Sequence, residues 1–229
     1  MSGRARHWDE IYATNPVTEL SWYERDPLVG LRLIGTIAPG PAASVVDVGA
    51  GSSSLVDHLL AAGFAAVTVL DVSGRALDVV RVRLGAASRE VTFVEEDLLA
   101  WEPGRRYDIW HDRAVFHFLT NEAARDRYVA RAAGAVRAGG HLVLATFAED
   151  GPTRCSGLPV TRYSPRELGN VFSPFFVRVA AEREEHVTPR GTVQPFTWVV
   201  LRRGPLDDPH GAHPGQMEQA SGVRRRETE

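Results

Sequence analysis

The chain contains no lysine; its 26 basic residues are all arginine. Alongside its richness in alanine, glycine, proline and valine, that usage is the imprint of a GC-rich genome and points to a bacterial source. A lone cysteine, Cys155, excludes an internal disulfide framework and suits a reducing cytoplasm. No apolar run reaches the roughly 18 residues of a spanning helix, so no membrane partner is expected. The opening MSGRARHWDE lacks the apolar stretch of a secretory signal. A net charge of -3 lacks the basic excess of a general nucleic-acid binder, so no nucleic-acid partner is expected either. No internal repeat is found. What remains is 229 residues, 44% hydrophobic and 24% charged, enough for one domain with a substantial core.

Along the chain, short β-rich runs alternate with helical stretches. Strands are predicted at 44–48, 66–70, 91–94, 107–111 and 141–147, as continuous apolar runs of the kind covered on both faces of a parallel sheet. Between them, 52–62 carries a stripe of Leu55, Leu59 and Leu60. Ser73 caps a helix with Leu77, Val80 and Leu84, and Thr120 caps one with Tyr128, Val129, Ala132, Ala133 and Val136. Such units in a row predict an α/β fold, a doubly wound, mostly parallel seven-stranded Rossmann-like sheet. Asp26 and Pro27 read as cap and first position of an earlier helix. Ser164-Pro165-Arg166-Glu167 reads as a capping box. Residues 175–187 and 193–202, joined by Thr188-Pro189-Arg190-Gly191, form an antiparallel C-terminal hairpin. The domain therefore runs over 1–203, and 204–229, without period or large apolar residues, reads as a disordered tail.

The most informative motif is Val45-Val46-Asp47-Val48-Gly49-Ala50-Gly51-Ser52-Ser53-Ser54, a strand running through a glycine turn into a helix. Glycines there permit unusual dihedrals and the close approach of a ligand to backbone N–H groups. A dinucleotide fingerprint requires Gly-x-Gly-x-x-Gly, and Ser54 stands where its last glycine belongs. The motif instead resembles the acidic-x-Gly-x-Gly loop of class I S-adenosylmethionine-dependent methyltransferases, although Ser53 departs from a further glycine common in that family. The resemblance implies S-adenosyl-L-methionine as cofactor, with Asp47, Gly49 and Gly51 around its amino-acid end. Asp71, closing the second strand, is spaced to accept both ribose hydroxyls, with Val72 beside it; NAD enzymes also place an acid here. Asp97 and Leu98 match the family positions that accept the adenine amine and pack on its ring. Ala138-Gly139-Gly140 extends the resemblance, which covers residues 7–203.

The run from Tyr107 to Phe118 is dense in titratable groups. In the resembling family this loop lies under the transferable methyl, so His111, Asp112 and His117 are the candidate proton acceptors, and Arg113 a candidate for an acidic substrate. Their structural alternatives are an Asp112–Arg113 ion pair and a packed His117. No metal is expected, because His111, Asp112 and His117 lack further ligands at metal-site spacing. Cys155 is not needed as a nucleophile, but can line the pocket. The aromatics Trp8, Tyr12 and Trp22 either fold over the cofactor or anchor the first helix.

The chain as a whole looks like bacterial methyltransferase-domain proteins, and the run Ile-Trp-x-Asp-Arg-Ala is similar to thiopurine and tellurite methyltransferases. A small-molecule acceptor is the first expectation, and a protein lysine the alternative. An NAD-dependent oxidoreductase would share the glycine loop and Asp71 but not Asp97 or the hairpin. A catalytically silent cofactor-binding domain would retain cofactor affinity without transfer.

Overall fold

The computed structural model describes residues 3–205, so nearly all of the expected tail at 204–229 lies outside the described residues. The strands of the main sheet are β1 (Ser44–Val48), β2 (Ala66–Asp71), β3 (Val91–Glu95), β4 (Tyr107–Arg113), β5 (Val136–Phe147), β8 (Phe176–Val187) and β9 (Val193–Arg203). Between β5 and β8 a separate two-stranded ribbon is formed by β6 (Arg154–Cys155) and β7 (Leu158–Pro159). The helices are α1 (Gly3–Thr14), α2 (Leu28–Ile37), α3 (Leu55–Ala61), α4 (Gly74–Leu84), α5 (Glu122–Ala135) and α6 (Pro165–Phe172).

The main sheet has the order β3-β2-β1-β4-β5-β9-β8. The first five strands are parallel; β9 runs antiparallel to both β5 and β8. Chain order reverses between β1 and β4, opening a crevice at their carboxyl ends, where sheets of this kind take ligands. Successive side chains along each strand feed opposite cores. Val46, Trp110 and Leu142 join one cluster with Tyr128, Phe116 and Phe172, while Val45, Ile109 and Val143 join the other with Leu55, Leu59 and Trp198.

Two of the four caps expected from the sequence form. The Ser73 hydroxyl accepts from Ala76 N–H, and Ser164 and Glu167 form the reciprocal capping box. Three expectations are corrected. Asn121, not Thr120, caps α5, its side chain accepting from Ala124 N–H. Asp26 makes no cap bond: α2 begins at Leu28 behind Pro27, and the Asp26 carboxylate lies 3.4 Å from His58. Ala138-Gly139-Gly140 falls inside β5, which starts five residues before the predicted strand. Two elements had no sequence counterpart. One is α1. The other is the β6–β7 ribbon, turned by Ser156 (φ 47) and Gly157 (φ 76) within what reads as a connector.

Candidate active site

The loop after β1 turns at Gly49 (φ 58) and Gly51 (φ 54). Both positions need glycine for space as well as for conformation: a Cβ on Gly49 would collide with Val115, and one on Gly51 with the Tyr12 hydroxyl. Through Gly49 this loop borders a cavity of about 320 Å³ at the carboxyl edge of the sheet. Gly49, Asp71, Val72, Asp97 and Leu98 all line it.

Asp71 ends β2, its two oxygens accepting from Gly51 N–H and Ser73 N–H, each at 2.8 Å. Burial pushes its carboxyl up to about 6, against the pull of those donors, and neighbouring Asp47 adds to the rise. Each oxygen retains a free lone pair for a further donor. Asp97 accepts from Leu99 N–H at 3.0 Å and lies 3.3 Å from Arg4.

Asp47 is placed differently. It lines a smaller adjoining space of about 60 Å³ together with Gly49, Gly51, His111 and Arg113. The three strand-end carboxylates therefore do not share one cavity, as their sequence spacing suggested: Asp71 and Asp97 border the large one and Asp47 its neighbour. Gly49, Tyr12, Trp22 and Arg113 line both. Asp47 Oδ1 lies 2.7 Å from His111 Nδ1, while its Oδ2 is buried without a hydrogen-bond partner.

The N-terminal segment closes over this edge. Asp9 accepts from the Ser73 hydroxyl at 2.7 Å, tying α1 to the cap of α4. Tyr12 is held between the glycine loop and Asp71, where burial and the Asp71 charge push its phenol well above the usual range. Trp8, on the cavity wall, packs edge-on against Trp22 and Phe118 with ring centres 5.8 and 5.3 Å away.

A carboxylate pair beside a glycine loop, with an unpaired carboxylate oxygen next door, suits an adenosyl group with an amino-acid end better than a pyrophosphate. Comparisons with known proteins agree. Residues 46–142, from β1 into β5, match the family model described as a methyltransferase domain. The chain is thus similar to the class I S-adenosylmethionine-dependent methyltransferases.

No curated protein sequence matches this methyltransferase. Among solved structures, one from work on the conversion of a disulfide bond into a thioacetal group during echinomycin biosynthesis superposes with TM-score 0.69 at 20% identity, covering 87% of this chain and 93% of that one. The 1,6-didemethyltoxoflavin-N1-methyltransferase of Burkholderia thailandensis, with bound 1,6-didemethyltoxoflavin and S-adenosylhomocysteine, gives 0.63 at 19%, covering 87% and 84%. The N-methyltransferase NodS of Bradyrhizobium japonicum, in complex with S-adenosylhomocysteine, gives 0.65 at 14%, covering 88% and 99%. At these identities the likeness is one of fold.

The three candidate proton acceptors of the methyltransferase are not brought together at an open face. β4 runs two residues further than predicted, so His111 and Asp112 lie within the sheet on opposite sides. His111 is 4% exposed; its Nδ1 is occupied by Asp47, and its Nε2 lies under α2, where a Cβ on Gly30 would approach within 2.9 Å. Asp112 is fully buried and lines neither cavity. It accepts from the Tyr128 hydroxyl at 2.6 Å and Val115 N–H at 2.9 Å, and burial pushes its carboxyl up to about 7. Asp112 is thus a structural anchor for the turn after β4, not a base within reach of an acceptor. His117 is also fully buried, its ring 4.5 Å from Phe118 and 4.8 Å from Phe147, and burial lowers it to about 3. It is the packed residue of the structural alternative.

Arg113 does not pair with Asp112. Its guanidinium lies 3.2 Å from Glu24, donates to Trp22 O at 3.1 Å and stacks over Phe196. Burial pushes Glu24 up to about 7; Arg113 pulls it down and Glu184 pushes it back up. His186 adds a bond to Ser21 O at 2.7 Å, so a buried polar knot pins residues 21–24 to the sheet. Sequence reading missed this knot, because its members are separated by up to 165 positions with no local pattern. Glu24, Glu184 and His186 also bring ligand atoms within 4.8 Å of one another, but the Arg113 cation already sits against Glu24. Cys155 lines the large cavity, and burial pushes its thiol up to about 11, so it stands there as a neutral group.

Proposed function

We propose that this methyltransferase transfers the methyl group of S-adenosyl-L-methionine to a small molecule in the cytoplasm of a bacterium. The carrying observation is the single cavity bordered by Gly49, Asp71, Val72, Asp97 and Leu98. In this reading Asp71 accepts the ribose hydroxyls, Asp97 the adenine amine in place of Arg4, and Val72 and Leu98 flank the rings. Gly49 and Gly51 admit the amino-acid end, whose ammonium meets the unpaired oxygen of Asp47. When bound, the cofactor supplies an activated methyl on a sulfonium. The chain supplies alignment and a dry site, closed by Trp8, Tyr12 and Trp22.

Two features support a small acceptor: α1 and the β6–β7 ribbon both line the cavity, and the didemethyltoxoflavin N1-methyltransferase neighbour is named for a small-molecule acceptor. The lone cysteine fits the reducing compartment. The test is incubation of the enzyme with methyl-labelled cofactor and either the metabolite or the protein fraction of bacterial cells. Label is expected in the metabolite fraction and should disappear with Asp47→Ala. Label confined to protein would overturn the small-molecule reading.

A further inference from the structure

A third cavity of about 470 Å³ opens on the far side of the N-terminal segment. Its walls come from α1, residues 19–22, the turn of the β6–β7 ribbon, and the β8–β9 turn at 188–192. Trp22 lines this outer cleft as well as both inner cavities. Elsewhere the partition is one residue thick. On α1, His7 lines the outer cleft and Trp8 the inner cavity; on the ribbon, Ser156 lines the outer cleft and Cys155 the inner cavity.

The partition holds two unsatisfied polar atoms. His7 Nε2 and Ser156 Oγ are both shut off from solvent and have no hydrogen-bond partner. Buried polar groups are almost always paired, and one left unpaired is costly, so two in the same thin wall mark a place where a partner is missing. Ser156 also holds a left-handed φ of 47, uncommon for a residue with a side chain. The strain and the two orphans lie in the wall between the outer cleft and the inner cavity.

Volume narrows the choice of acceptor site. The adenosyl group of the proposed cofactor takes the large inner cavity, and its amino-acid end takes the smaller space beside Asp47. The outer cleft is the space that remains next to Trp22. Its lining carries one acid, Glu19, and one base, Arg190, which leaves no net charge to select an ion. Trp22 and Leu20 add apolar surface, and Asn15 and Gln194 add amides.

We propose that this outer cleft receives the methyl acceptor, an uncharged ring compound bearing hydrogen-bonding groups, recognised by His7 and Ser156 and admitted to the methyl by displacement of Trp22. The inference rests on the methyltransferase reading above and locates its second substrate. His7 can donate or accept according to tautomer, and the Ser156 hydroxyl can do both, so the pair suits an amino- or hydroxy-substituted ring. The Trp22 indole offers it a stacking face.

The test uses the intact protein saturated with S-adenosylhomocysteine and a panel of uncharged amino- and hydroxy-substituted bicyclic heteroaromatics, followed by ¹H–¹⁵N NMR. At least one compound should bind the saturated protein and shift the Trp22 indole together with the backbone signals of His7 and Ser156. His7→Gln and Ser156→Ala should each weaken that compound at least threefold while leaving S-adenosylhomocysteine affinity unchanged. The proposal is overturned if no compound binds the saturated protein, if bound compounds compete with S-adenosylhomocysteine, or if their shifts avoid Trp22. Failure of S-adenosylhomocysteine itself to shift Gly49, Asp71 and Asp97 is a separate outcome, and it would remove the methyltransferase reading on which the proposal stands.

Discussion

Gly49 is glycine for two separable reasons, its left-handed backbone and the Val115 side chain against it. Gly49→Ala should cost about 1–3 kcal/mol from backbone strain and more from the collision. A Gly49→Ala/Val115→Ala double variant removes the collision alone, so its urea midpoint should fall between those of the single variant and the wild type. The buried ionisable groups set opposing pH trends. Asp112 and Asp71 have carboxyls raised to about 7 and about 6, so their stabilising contribution is complete below about pH 4 and lost as pH rises through those values. His117, lowered to about 3, contributes fully above its ordinary value near 6.5 and loses that contribution as pH falls toward 3. Asp112→Asn should therefore flatten the decline of stability between about pH 4 and 7, and His117→Gln the decline on the acid side, both read from denaturant midpoints across pH. Unchanged slopes would show that neither group titrates on unfolding as its burial requires.

At the scale of elements, α1 is the piece whose role the sequence disclosed least. Ala5 is its only buried residue. Its placement comes from long-range polar and aromatic contacts: Arg4 to Asp97, Asp9 to Ser73, Tyr12 to the glycine loop. An element held in this way is suited to open and close over a ligand. Asp9→Ala should loosen it, raising the dissociation rate of S-adenosylhomocysteine several-fold in stopped-flow tryptophan fluorescence, with little change in thermal stability. An unchanged rate would mean that α1 is a fixed wall. By contrast β1 and β2 were legible nearly to the residue, because buried strands must be continuously apolar and their ends are punctuated by glycine or acid, and the hairpin was legible from its Thr188-Pro189-Arg190-Gly191 turn. The β6–β7 ribbon was hidden by its length: two residues per strand leave no period to read.

For the molecule as a whole, the cofactor half was far more legible than the acceptor half. Glycine turns and strand-end acids recur at spacings fixed by the βαβ unit, so Asp71 and Asp97 could be assigned to one sheet edge without coordinates. The acceptor half that we propose is assembled from α1, residues 19–22, the ribbon and the β8–β9 turn, which share no local pattern. His111, Asp112 and His117 looked reactive because they are dense in sequence, yet Asp112 and His117 are fully buried away from both inner cavities, and His111 borders only the small space beside Asp47. Density of titratable residues reports chemistry only where the backbone delivers it to a cavity.

We propose that the cavity beneath α1 takes an adenosyl group bearing an amino acid. Calorimetric titration with S-adenosylhomocysteine and with NADH, on wild type, Asp71→Asn and Asp97→Asn, tests it most directly. The wild type should bind S-adenosylhomocysteine and not NADH, and each substitution should weaken binding about tenfold or more, or about 1.4 kcal/mol. Preferential binding of NADH, or affinity for S-adenosylhomocysteine untouched by both substitutions, would contradict the account.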